Sequence, residues 1–193
     1  MKNHILILLL GLFFTTSHAQ QNSTLSTEKV WRVNFLNPGV EIEVPTGNYS
    51  TFSAGLGIEL VSAFLELSRG ETYQSTLIVG LGTAISPYLD LQEKWFYNLD
   101  KRYNKDKTIE NNSGNFISLR LLTRGQSISD NEVRGSNLDF AIQHTWGIQR
   151  KYGENFHLLF DLGYMYYFDT KGNGRFFPLT FQINLGLNLS QKR

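Results

Sequence analysis

Two histidines, His144 and His157, and carboxylates spaced at alternate positions are the side chains in this sequence best suited to chemistry. A Ser nucleophile needs a base within hydrogen-bond reach and a third group to orient that base. His157 stands four residues before Asp161 on one face of a predicted strand, so that acid could orient it, but no Ser lies on the strand. The plainer reading is a paired interior histidine, and no catalytic residue is assigned. Glu41 and Glu43 project to one face two residues apart, with Asp90 near, as a cation site would need. Carboxylates on such a face pair more readily with Arg120 or Lys94, so neither a metal nor a cofactor is expected. Calcium-loop spacing is absent from Asp100 to Asn112, and Gly55-Leu56-Gly57 and Gly80-Leu81-Gly82 read as small strand positions rather than phosphate cradles. There is no cysteine, which removes disulfides, thiolate metal sites and nucleophilic thiols together.

The elements that must carry these residues are strands. Phe177, Leu179, Phe181, Ile183, Leu185, Leu187 and Leu189 alternate with Thr180, Gln182, Asn184, Gly186, Asn188 and Ser190. A pleated strand sends successive side chains to opposite faces, so this segment has one apolar and one polar surface. At the other end, Met1-Lys2-Asn3-His4, the apolar run Ile5 to Phe14 and the small residue at each end of Ser17-His18-Ala19 form a signal peptide, with cleavage expected after Ala19. The run of Ile5 to Phe14 is too short for a membrane helix, which needs about 20 residues. Loss of Lys2 with the leader leaves basic and acidic residues equal in number. No basic field is then available to displace counterions from nucleic acid.

Residues 20–28 read as a disordered mature N-terminus, and residues 29–193 as one all-β domain. In a first long strand, Trp31, Val33 and Phe35 share one parity and Val40, Ile42 and Val44 the other, with a bulge expected at Asn37-Pro38-Gly39 where the phase changes. A second strand carries Phe52, Ala54, Leu56, Ile58 and Leu60. A third runs from about Tyr73 to Ala84, and a fourth from Pro87 through Leu89, Leu91, Trp95 and Tyr97. After a charged segment from Leu99 to Gly114, a fifth strand holds Ile117, Leu119 and Leu121 outward with Ser118, Arg120 and Arg124 inward. The sixth carries Leu138, Phe140, Ile142, Trp146 and Ile148 against Asp139, Gln143, Thr145 and Gln149. The seventh carries Phe156 to Phe168, and the alternating C-terminal segment is the eighth. Eight antiparallel strands are the smallest even count known for a single-chain membrane barrel, so the fold class read here is a closed up-and-down transmembrane β-barrel.

Alternation alone also suits a soluble lipocalin-like barrel, whose apolar face lines a cavity. The polar face separates the two. It carries Glu41, Glu43, Glu59, Asp90, Lys94, Arg120, Asp139, His157 and Asp161, mixed in sign and interleaved with Gly, Ser and Thr. Such a face suits a crowded interior in which opposite charges pair, and predicts an ion-paired plug without an open channel. Aromatic residues gather near strand ends, at Trp95 and Tyr97 and again at Tyr164, Tyr166, Phe168, Phe176 and Phe177, as interfacial girdles do. Glu93 and His144 fall on the apolar faces, so they lie near an interface or their strands contain a bulge.

Pro87-Tyr88-Leu89 through Trp95-Phe96-Tyr97-Asn98, then Lys101-Arg102, then Asn111-Asn112-Ser113-Gly114-Asn115-Phe116, resembles small outer-membrane β-barrel proteins common in Bacteroidetes. Asn37-Pro38-Gly39 ahead of Glu41 and Glu43 is similar to their first strand. The resemblance covers nearly the whole chain after the leader and implies the barrel fold and the outer membrane of a Gram-negative cell envelope. It carries no agreed activity. The chain departs from such barrels in ending Leu189-Ser190-Gln191-Lys192-Arg193, where many end on an aromatic residue. Lipid A deacylase barrels show His-x-Ser on one strand, and here the matching positions are His144-Thr145-Trp146, without the Ser. The function read from these residues is non-enzymatic, structural or recognition-bearing. Outer-membrane lipid is the expected partner, and any extracellular ligand or protein would meet the loops at Gly125–Asn137 and Asp169–Arg175. A lipid A-modifying enzyme and a secreted lipocalin-like carrier are the alternatives.

Overall fold

A computed structural model describes residues 25–59, 62–69, 75–82, 85–128 and 136–189, with backbone alone over 62–69 and 75–82. The leader at residues 1–19, most of the expected disordered segment, parts of the third expected strand and of the loop at 125–137, and the C-terminal residues 190–193 lie outside the described residues. The strands are β1 (Val30–Asn34), β2 (Gly39–Gly47), β3 (Ser50–Glu59), β4 (Ser62–Arg69), β5 (Ser75–Gly82), β6 (Ser86–Phe96), β7 (Asn115–Arg124), β8 (Asp139–Tyr152), β9 (Phe156–Asp169) and β10 (Gly174–Asn188). Between β6 and β7 lie a short helix, α1 (Leu99–Tyr103), and a 3-10 turn over Glu110–Asn112.

Eight of the strands form a closed antiparallel up-and-down ring in the order β1-β2-β3-β6-β7-β8-β9-β10, and β1 pairs back onto β10 through Arg32↔Asn188, Val33↔Leu187 and Asn34↔Gly186. One rim, here the terminal rim, gathers the start of β1, the end of β10, the segment from Tyr97 to Gly114 and the tight β8–β9 turn. The opposite, distal rim carries the β1–β2, β7–β8 and β9–β10 connections. β3 pairs with β6 out to Glu59↔Ser86, and β4 pairs with β5 from Ser62↔Gly82, so the β4–β5 hairpin prolongs the β3–β6 pair past the distal rim. The free edge of β4 meets β10 at Leu179↔Leu65 and Thr180↔Phe64. That contact lies beyond the point where the short β1 leaves β10.

The ring holds the expected number of strands, but two boundaries within it differ from the sequence reading. Asn37-Pro38-Gly39 is not a bulge: residues 35–38 turn the chain, and β1 pairs antiparallel with β2 through Val30↔Glu43 to Asn34↔Gly39. A phase change fits a bulge or a reversal equally well, and Asn, Pro and Gly together favour the reversal. The expected third strand corresponds to β5, which pairs with β4 outside the ring. One added strand and one removed leave the number unchanged.

A further difference falls in β10. Its register against β9 shifts between Phe177 and Thr180, so both of those residues turn inward around Pro178, which has no N–H to give the ladder. Phe177 packs on Leu122, Ala141 and Met165 instead of standing with Phe181 and Ile183 on the outer face.

Segment 25–29 is ordered against the terminal rim rather than disordered. The Thr27 hydroxyl donates to the Gly47 carbonyl at 2.7 Å, and the Glu28 N–H donates to Asn112 Oδ1 at 2.8 Å. Inside that rim, Phe96, Leu99, Phe116 and Leu159 form a small apolar cluster, with Phe96 and Phe116 edge to face at 5.7 Å. The Phe116 ring has room because Gly147 faces it: a Cβ there would come within 2.4 Å of Phe116 Cζ and 2.9 Å of Asp161 Cβ. Overpacking of this kind costs about 1–3 kcal/mol. Gly147→Val should therefore lower the thermal midpoint followed by circular dichroism, while Ile148→Val on the outer face should leave it nearly unchanged.

Candidate functional site

Period-two alternation around the ring puts the polar parity of every ring strand inside. The buried positions include Arg32, Glu43, Lys94, Arg120, Asp139, Gln143, Gln149, His157 and Asp161, while large apolar side chains such as Leu56, Ile117, Ile142 and Ile183 are exposed. All nine charged or titratable residues read from the sequence as interior stand on the inner face, with Glu41, Glu59 and Asp90 only slightly accessible.

Near the terminal rim the charges gather around Arg32, whose side chain has no solvent contact. The β1–β2 hairpin places it opposite Glu41, and its guanidinium donates to Glu41 at 2.8 Å and to Glu43. Lys94 from β6 lies 3.5 Å from Glu41 and 3.6 Å from Glu43, and donates to Gln149 Oε1 at 3.0 Å. Thr51 also donates to Glu43, and Gln149 Nε2 does so at 3.1 Å. The remaining Arg32 donors reach Asn188 Oδ1 at 3.1 Å and the Asn111 carbonyl at 3.2 Å. Asn111 and Asn112 hold φ of 52° and 59°, left-handed values that Asn tolerates better than most residues. This backbone turns both carbonyls into the ring, where Gln149 Nε2 meets each at 3.2 Å. The segment after β6 thereby folds back as a floor.

Toward the distal rim a second pair forms. Arg120 grips Asp90 with both prongs, Nε to Oδ1 at 2.7 Å and Nη2 to Oδ2 at 2.6 Å, the fork geometry that fixes a guanidinium on a carboxylate. Its Nη1 donates to Gln143 at 3.1 Å and to Gln182. Above it, Arg124 bridges Glu59 at 2.5 Å and Asp139 at 3.9 Å. Between the clusters lies a space of about 30 Å³ beside Asn34, Glu41, Tyr88 and Asn184, room for water-sized occupants only.

Sequence reasoning passed over Arg32 and the apolar interior residues Phe116, Leu122, Leu159 and Met165. Arg32 sits opposite in parity to Trp31 and Val33, a signal that could have found it. The structure does not join His157 to Asp161: both ring nitrogens of the buried His157 lack a hydrogen-bond partner. His144 and Glu93 stay on the outer face, because the β6–β7 and β8–β9 registers run without a shift and neither strand bulges there. Glu93 accepts from the Thr46 hydroxyl at 2.7 Å, and His144 lies 5.5 Å from the Tyr164 ring. Among the described residues no group of three or more His, Cys, Asp or Glu is placed to hold a metal ion. No protein-family model, curated protein or solved structure matches the chain.

Removing one member of a buried ion pair leaves its partner charged and unpaired, at a cost of about 3–5 kcal/mol. Arg32→Met should show a loss of that size in chemical denaturation. Adding Glu43→Gln to Arg32→Met should recover part of it, because Lys94 then faces Glu41 alone.

Proposed function

We propose that this chain is an integral outer-membrane β-barrel protein, non-enzymatic, whose lumen is closed by ion-paired side chains and whose loops carry any recognition. The observation that carries this reading is the inversion of polarity around the ring, with guanidinium, ammonium and carboxylate groups buried and aliphatic and aromatic side chains outside. Soluble proteins rarely expose a continuous apolar belt, whereas acyl chains accommodate one without cost. A lipocalin-like carrier would need the opposite placement, with an apolar cavity.

Length and belts support the same setting. β8, β9 and β10 have 14, 14 and 15 residues. At roughly 3.3 Å per residue and a tilt of about 40°, such strands rise roughly 35 Å, enough for an apolar band about 25 Å tall. All three tryptophans, Trp31, Trp95 and Trp146, are exposed on the outer face toward the terminal rim. Toward the distal rim, Phe140 stacks on Phe168 at 5.2 Å and Tyr164 lies 6.0 Å from Phe176. The signal peptide expected at residues 1–19 fits export across the inner membrane. Among the described residues no helix is long and apolar enough to cross a membrane, a statement that does not bear on crossing by strands.

The β9–β10 turn at the distal rim is held by its own hydrogen bonds and is a candidate for recognition. Asp169 accepts from the Lys171 and Asn173 N–H groups, both at 2.9 Å, and the Ser136 and Thr170 hydroxyls meet at 2.9 Å.

Extracted protein should require detergent, and the unboiled form should migrate faster than the boiled form on a detergent gel. A chain freely soluble without detergent would overturn the reading. In planar bilayers the folded protein should give no steady conductance, and Arg120→Gly with Asp90→Gly, which removes the middle pair of the plug, should leave it closed, because the Arg32 cluster and the floor at Asn111 and Asn112 still block the terminal end.

A further inference from the structure

On the outer face of the terminal rim, two arginines stand together without an acid. Arg150 follows Trp146 and Ile148 along the outward parity of β8, and Arg102 projects from α1 close enough for the two cations to repel. Arg150 donates to the carbonyls of Gly114 at 2.6 Å and Gln149 at 2.7 Å, and to Asn115 Oδ1 at 2.5 Å. Arg102 donates from Nε and Nη2 to the Thr108 carbonyl, at 3.2 and 2.9 Å. Every one of these acceptors is neutral. Partial burial lowers the Arg102 guanidinium from its ordinary value, and no carboxylate offsets that burial. Two acids of the same segment are engaged elsewhere: Asp100 accepts from the Tyr49 hydroxyl at 2.9 Å, and Glu110 pairs with Lys151.

The donors around this pair are aligned and only partly used. Asn115 accepts from Arg150 and donates through Nδ2 to the Tyr97 hydroxyl at 3.3 Å. The Trp146 indole N–H donates to the same hydroxyl at 2.6 Å. Tyr97 thus accepts twice within the protein, and its own O–H proton is left to donate outward. Arg102 Nη1 and Arg150 Nε likewise make no hydrogen bond among the described residues. Tyr152 is near enough to both arginines for its phenol to act on their charge, and Trp146, Tyr97 and Tyr152 are all about half exposed.

We propose that Arg102, Arg150 and Tyr97 bind the phosphate of an anionic lipid headgroup, with Trp146 and the outward Ile117 lying along its acyl chain. An anion there relieves the repulsion between the two guanidiniums and uses the three unfilled donors. Its seat lies just beyond the aromatic belt, where headgroups begin on the membrane reading, and the inference rests on that reading. Lys101, Lys105 and Lys107 lie on the same segment, with Asp106 the one acid among them, so its net charge is positive.

The test uses the full chain refolded into phosphatidylcholine vesicles with and without phosphatidylglycerol, then released into mild detergent for native mass spectrometry of retained lipid. Phosphatidylglycerol should be retained over phosphatidylcholine by about tenfold or more. Arg102→Gln with Arg150→Gln should abolish that preference while the unboiled gel mobility stays unchanged, and Tyr97→Phe should weaken it severalfold. Insertion without a headgroup preference, or a preference that survives the double substitution, overturns the inference and leaves the membrane reading standing. Displacement of phosphatidylglycerol by inorganic phosphate alone also overturns it, because the site would then be one for the free anion. Failure to enter vesicles of either composition overturns the membrane reading and this inference with it.

Discussion

Arg32, enclosed at the terminal end of the ring and held between Glu41 and Glu43, is the interaction on which most of the architecture depends. A guanidinium without solvent must have its charge and its donors met by protein. Meeting them requires the β1–β2 reversal that sets Glu41 opposite it, the β1–β10 closure that supplies Asn188, and the left-handed turn that presents the Asn111 carbonyl. Ring closure, hairpin and floor are therefore satisfied or lost together. Lys94 adds β6 to the same cluster by facing both carboxylates and, at 5.7 Å, the Phe116 ring.

Charge thus does inside this ring what aliphatic packing does inside a water-soluble domain. Neighbouring and next-but-one strands are tied by forked and bridging ion pairs, first at Arg32 and Lys94, then at Arg120 and Asp90, then at Arg124, Glu59 and Asp139. Small apolar clusters lie beside these layers, where Phe116 occupies the space opposite Gly147 and Leu122 meets Met165. With its lumen filled, the ring leaves the outer surface and the rims as the places where function can reside. Both the proposed lipid setting and the phosphate seat at Arg102 and Arg150 belong to that outer surface.

Much of the inner face was legible one residue at a time, because alternation assigns parity without knowledge of any partner. Glu43, Lys94, Arg120, Asp139 and Asp161 needed only a period of two. Which charges meet was not legible, since it depends on register between strands far apart in sequence: Lys94 reaches Glu41 and Glu43, while Arg120 takes Asp90. The same limit explains the misread reversal at residues 35–38, where parity changes in the same way for a bulge and a turn. It also explains Phe177, whose parity counted from Leu189 is correct only if no residue is inserted at Pro178. The pairing imagined between His157 and Asp161 failed for a simpler reason. Residues four apart on a strand are separated by roughly 13 Å.

By itself, then, the sequence determined the β class, the two-faced character of the strands and the list of charges turned to one side, because each is a local consequence of backbone pleat and side-chain type. The tertiary structure alone decided that the β4–β5 hairpin stands outside the ring, that β1 closes on β10, and that Arg102 comes to rest beside Arg150. Those outcomes are set by cross-strand hydrogen bonding and by the need to satisfy buried charge. Both compare residues distant along the chain, and no reading of neighbouring positions contains that comparison.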